Sequence, residues 1–207
     1  MKDKRVLALT IIAVLVIVTL IISSSFAFFA LKKSSTQTGS GVTITAEDPG
    51  TVTISKSSDI KLNLTNALMV DKGSDVTYYG STSGTPSTSA TNVSIATVSS
   101  VSGVTKNCSY TLSLSSTGDF LTAYKGMSNT QAGDFVLTVG GQSYDFKTAS
   151  LPSTISGTIS NLVVNTPQNI NAQLKFINRS GKDQTALAGK NLSITFNITA
   201  FSCTVAS

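Results

Sequence analysis

Residues 191–200 read NLSITFNITA. Leu192, Ile194, Phe196, Ile198 and Ala200 occupy every second position, separated by Ser193, Thr195, Asn197 and Thr199. Successive side chains of an extended chain point to opposite faces, so this stretch has one apolar face and one wet face. The same alternation recurs in Val42/Ile44, Val52/Ile54, Ile60/Leu62/Leu64 and Cys108/Tyr110/Leu112/Leu114. It returns in Phe135/Leu137/Val139, Tyr144/Phe146 and Ile170/Ala172/Leu174/Phe176. Short alternating runs punctuated by Gly, Asn, Asp and Ser imply antiparallel sheets packed face to face. The wealth of Thr, Val and Ile agrees, because β-branched side chains suit a pleated surface. The pattern predicts an all-β sandwich of about 8–10 strands, jelly-roll or immunoglobulin-like in layout. Gly140-Gly141, between two alternating runs, reads as a two-residue hairpin turn. Gly80–Ser89, poor in apolar residues, reads as a flexible surface loop inside one domain. Lys182–Lys190 reads as a single helical turn ended by Gly189.

Ser and Thr fill 61 of the 207 positions, and there is no histidine and no tryptophan. The missing histidine excludes a Ser-His-Asp triad, a Cys-His pair, an H-E-x-x-H zinc helix and a His-ligated haem. No enzyme is expected, and no catalytic, cofactor or metal residues are assigned. Fifteen basic and ten acidic residues give a formal net charge of +5. The charges are scattered singly, whereas a nucleic-acid binder concentrates them in a basic patch, so no nucleic-acid partner is expected.

The N-terminus carries the positive run MKDKR and then an apolar stretch from Val6 to Ile22. Ser23-Ser24-Ser25-Phe26-Ala27 follows, with Ser25 and Ala27 at the −3 and −1 positions of a signal-peptidase site. Residues 1–27 read as a signal peptide of an exported chain, cut between Ala27 and Phe28. The alternative is a signal anchor over 6–31, long enough to span a bilayer. Residues 28–41 then form a flexible arm and 42–207 a single β-sandwich domain. Either way the body lies outside the membrane, at the cell surface or beyond, and meets the bilayer only through its N-terminus.

Cys108 and Cys203 are the only cysteines. In an exported chain two cysteines pair more often than they stay free, so a disulfide is expected, with two buried thiols as the alternative. Asp71-Lys72-Gly73-Ser74-Asp75 has a faint calcium-loop character but lacks the further carboxylates of a dedicated loop, and such clusters are ordinarily plain turns. Leu151-Pro152-Ser153-Thr154-Ile155 is a chance likeness to a cell-wall sorting motif, with Ile where Gly is needed. The N-x-S/T sequons at Asn63, Asn92, Asn107, Asn178, Asn191 and Asn197 follow from the abundance of Ser and Thr.

Three stretches, in order along the chain, carry a family resemblance. They are the export junction Ser25-Phe26-Ala27-Phe28-Phe29, the strand-and-turn Ile60–Leu68 (IKLNLTNAL), and Leu187–Phe196 (LAGKNLSITF). Together they resemble the TasA/camelysin family of exported Gram-positive surface and biofilm-matrix proteins. The resemblance implies a jelly-roll-like domain, processed by a signal peptidase, that self-associates into extracellular fibres. It further implies that Phe28, Phe29, Ala30 and Leu31 act as a donor strand completing the sheet of the next subunit. A membrane-anchored domain that binds a surface ligand is the alternative. Camelysin-like members are described as metalloproteases; a chain without histidine departs from them there, and its two cysteines and lack of tryptophan depart from TasA.

Overall fold

The computed structural model describes residues 35–38, 41–45, 51–101 and 103–206. Among them the chain forms twelve strands, more than the 8–10 expected, because β1, β5, β6 and β10 lie outside the alternating runs. The first six are β1 (Ser35–Thr38), β2 (Gly41–Thr45), β3 (Thr51–Lys56), β4 (Ile60–Asn63), β5 (Val76–Tyr79) and β6 (Val93–Ser100). The rest are β7 (Lys106–Thr117), β8 (Phe135–Val139), β9 (Gln142–Asp145), β10 (Thr154–Leu162), β11 (Gln168–Asn178) and β12 (Asn191–Val205). One sheet runs β1-β2-β3-β6-β11-β8-β9, with β5 also paired to β11; the other runs β10-β7-β12-β4. Every pairing is antiparallel. Within residues 28–41, Ser35–Thr38 pairs with β2, Thr36 opposite Thr43.

The fold is all-β, as the alternation requires. Leu192, Ile194, Phe196 and Ile198 of β12 are buried beside Tyr110, Leu112 and Leu114 of β7. Across the core they join Ile170, Leu174 and Phe176 of β11 and Leu137 and Val139 of β8 in a single apolar cluster. A short helix, α1 (Phe120–Gly126), sets Phe120 and Tyr124 against Phe135, whose ring also lies 4.7 Å from that of Phe146. Stacked and edge-on rings of this kind stabilise beyond their buried area.

The hairpin expected at Gly140-Gly141 joins β8 to β9, with Val139 opposite Gln142. Both glycines have positive φ, 55° and 83°, as a type I′ turn demands. The turn expected before Gly189 is a 3₁₀ turn over Thr185–Leu187, and Gly189 has φ 76°.

The loop expected over Gly80–Ser89 is not loose. Gly80 donates to the Leu174 carbonyl of β11 (2.8 Å), Ser81 bridges Lys61 of β4, and Ser87 bridges Tyr79 of β5. The Asn63 amide donates to the Gly84 carbonyl (2.9 Å), and the Ser81 hydroxyl donates to the Thr85 carbonyl (2.9 Å). The segment crosses from one sheet to the other and covers the outer edge of β4. Its order comes from backbone and hydroxyl hydrogen bonds, which hydropathy does not report.

β10 escaped the alternation because the inward position between Ile155 and Ile159 is Gly157. A Cβ there would stand 2.3 Å from Tyr110 Oη and 2.4 Å from its Cζ. The buried Tyr110 ring fills the place of a β10 side chain. Gly157→Ala therefore forces the ring aside and lowers stability by about 1–3 kcal/mol, measured by urea unfolding. In a Tyr110→Leu background the same substitution costs much less; an equal cost in both backgrounds would refute the clash.

Candidate functional site

Two of the stretches that carry the family resemblance lie side by side. β4 pairs with the start of β12, Asn63 opposite Asn191 and Lys61 opposite Ser193. Gly189 N–H donates to the Leu64 carbonyl (2.7 Å) and Leu64 N–H to the Lys190 carbonyl (3.0 Å), which extends the pairing past the strand end. Between them opens a cavity of about 680 Å³, whose polar lining is Lys61, Asn63, Thr65, Asn66, Lys190, Asn191 and Ser193. Lys190 Nζ donates to Asp119 Oδ2 at 2.6 Å, and this bond, ahead of other contacts, holds the Asp119 carboxyl below its ordinary range. The lining residues offer amides, two hydroxyls and two ammonium groups, and no carboxylate. Such a lining can hydrogen-bond a polar group, with one of its two ammonium groups already paired to Asp119.

Cys108 and Cys203 form a disulfide across directly opposed positions of β7 and β12. Cys108 is buried on the core face, in the same row as Tyr110 and Leu112.

The Asp71–Asp75 turn is an anchor between segments far apart in sequence. Asp71 accepts from Gly73 N–H (2.9 Å), Gly181 N–H (2.9 Å) and the Ser180 hydroxyl (3.1 Å). Asp75 accepts from Ser180 N–H (2.9 Å) and Arg179 Nη1 (2.6 Å). Arg179 Nε reaches the fully buried Asp134 at 2.7 Å, and Asp134 also accepts from Gln131 N–H (2.7 Å). The oxygens are thus occupied by N–H and O–H donors, and among the described residues no cluster of three or more metal-ligating side chains occurs. The sequence shows an acidic turn; the basic and amide partners that define its role are about a hundred residues away.

Ala27, Phe28, Phe29, Ala30 and Leu31, the expected cleavage site and donor strand, lie outside the described residues. Of the sequons, Asn178 is buried and its Nδ2 donates to the Leu68 and Val70 carbonyls. Sequence reasoning does not locate the free sheet edges, which among the described residues include the outer sides of β9 and β10. The edge of β10 turned away from β7 has no partner strand among the described residues, and the Gln142 side chain donates to its Ser156 carbonyl (3.2 Å). Comparison with protein-family models, with characterised proteins and with solved structures finds no match.

Removal of the disulfide (Cys108→Ala with Cys203→Ala) opens a crosslink of sequence separation 95. The expected loss is about 2–5 kcal/mol of unfolding free energy, read from denaturant midpoints with and without reductant. An unchanged midpoint would show that the β7–β12 ladder needs no covalent tie. The acid limb tests the carboxylate anchor. Backbone N–H donors (Gly73 and Gly181 at Asp71, Ser180 at Asp75) hold both pKa values below the ordinary 3.8. A carboxylate with a depressed folded pKa contributes stability that is full above its unfolded pKa and is lost as pH falls through the folded one. Stability should therefore drop below about pH 4. Asp71→Asn should be less stable than the wild type at neutral pH and lose less on acidification. Parallel pH curves for the two would contradict the assignment.

Proposed function

We propose that the chain is an exported structural protein of the TasA/camelysin kind, with a jelly-roll-like domain, that forms or decorates an extracellular fibre at a Gram-positive surface. In this reading signal peptidase cuts between Ala27 and Phe28. Phe28–Leu31 of one subunit then pairs with an open sheet edge of the next. The observation that carries the reading is the free outer edge of β10, whose residues Thr154, Ser156, Thr158 and Ser160 are exposed. An unpaired edge presents a row of N–H and C=O groups to an incoming strand. Head-to-tail donation never closes on itself, so it extends into a filament. The disulfide supports an oxidising location outside the cell.

A membrane-anchored surface domain that binds a ligand is the second reading. The polar cavity between β4 and β12 favours it.

Expression of the full chain in a Gram-positive host separates the two. The fibre reading expects an extracellular product whose intact mass begins at Phe28, lighter by two hydrogens for the disulfide, and filaments under the electron microscope. Phe29→Asp with Leu31→Asp, which spares the Ala27–Phe28 junction, should leave secretion intact and abolish the filaments. An unprocessed N-terminus held in the membrane fraction, with no filaments, would overturn the fibre in favour of the anchored domain.

A further inference from the structure

The outward side chains of β10, β7 and the C-terminal two-thirds of β12 carry no charge; charge enters only at the β4 border, where Lys61 stands opposite Ser193 and the Thr195 hydroxyl donates to Asp59 Oδ2 (3.1 Å). Across these three strands Lys106 is the only Asp, Glu, Lys or Arg, and it is buried. What faces solvent is hydroxyl and amide, set in rows by the strand register. Ser156 and Thr111 stand opposite each other with their hydroxyls 3.0 Å apart, Ser109 and Ser202 with theirs 2.8 Å apart, and Ser113 opposite Asn197. The disulfide lies one residue from the Ser109–Ser202 row and on the opposite side of the sheet, so it pins that row in register.

We infer that this face is a homotypic contact surface, on which a second copy of the chain docks face to face about a two-fold axis. Charge and area both fit such a contact. A two-fold contact puts the same patch on both partners, so the patch must complement itself. A face bearing lysines meets its own lysines, and the chain from Phe28 onward, with twelve basic and nine acidic residues, repels its copy generally. The hydroxyl face avoids that repulsion. Each Ser or Thr hydroxyl both donates and accepts, so the same row on the partner can satisfy it. Three strands about 4.8 Å apart, each some twelve residues long at about 3.3 Å per residue, cover on the order of 600 Å². Two such faces bury about 1,200 Å², the lower bound for a specific protein–protein interface. A contact of that size is weak between single subunits and adds up where many subunits are arrayed, so it serves lateral bundling. It is independent of strand donation, since it uses the sheet face and leaves the β10 edge free.

The test is a cysteine scan along the central strand of the face in the full chain, with Cys108 and Cys203 kept. Ser109→Cys, Thr111→Cys, Ser113→Cys and Ser115→Cys are made singly and oxidised mildly with copper-phenanthroline. Near a two-fold axis a residue meets its own copy, so at least one position should give a disulfide-linked dimer. Thr166→Cys, exposed and away from this face, should give none. In the crosslinking background Asn197→Lys, at an exposed position opposite Ser113, should cut the dimer yield several-fold, as should Asn197→Glu. Mixing Lys-bearing with Glu-bearing copies should restore it, a rescue that misfolding would not produce. No crosslink at any of the four positions, or equal crosslinking through Thr166→Cys, would overturn the proposal. So would capture of the uncrosslinked protein by dextran, which would assign the face to a neutral glycan instead. Crosslinking without filaments would leave this contact standing and remove the fibre.

Discussion

The antiparallel ladder between β7 and β12 is the constraint on which the rest of the structure depends. It runs from Ser193 opposite Thr117 to Val205 opposite Lys106, with one bulge between Ile198 and Ala200. It is the longest pairing in the molecule and joins segments about ninety residues apart, so the chain must close a long loop before the ladder returns any stabilisation. The disulfide sits inside it and limits that loop in the unfolded chain. Both flanking strands lean on the ladder: β10 on β7, and β4 on the start of β12. Its inner side supplies Tyr110, Leu112, Ile194 and Phe196 to the core, and its outer side is the uncharged hydroxyl face.

Charge is partitioned in this molecule. The Asp71, Asp75, Asp134 and Arg179 group ties the turn after β11 to the turn before β5 and to the loop before β8. Lys190 and Asp119 join the segment before β12 to the N-terminal end of α1. Ionic contacts thus hold connections, and the outward face over β10, β7 and most of β12 is left to Ser, Thr and Asn, with Lys61 and Asp59 at its β4 border. A neutral face resists neither a copy of itself nor a neutral ligand, whereas scattered like charges on the rest of the surface do.

Where sequence reasoning fell short, the causes are specific. β6 was missed because Ile95 and Ala96 are both buried beside a register shift opposite Ile170 and Asn171, and an irregularity of that kind breaks a period of two. β10 was missed because Gly157 replaces an inward side chain that Tyr110 displaces. Gly80–Ser89 was read as loose because its stabilising bonds are made by backbone and hydroxyls. In the candidate site, Lys61 and Asn63 belong to a recognised strand, as do Asn191 and Ser193. Nothing in either segment alone announces that they share a cavity.

By itself the sequence determined the class of fold, the facing of most strand residues, the two-residue hairpin at Gly140-Gly141 and the exclusion of histidine chemistry. These are local properties: alternation fixes which face a side chain takes, and a pair of glycines fixes a turn. Tertiary structure alone decided which strands are neighbours, that Cys108 and Cys203 stand opposite each other, and that Asp71 and Asp75 meet Arg179 and Ser180. It also decided that three separate Ser/Thr strands merge into one neutral face. The physical reason is that a period of two specifies a face and not a partner. Partners are chosen by long-range packing and register, which depend on the whole chain at once.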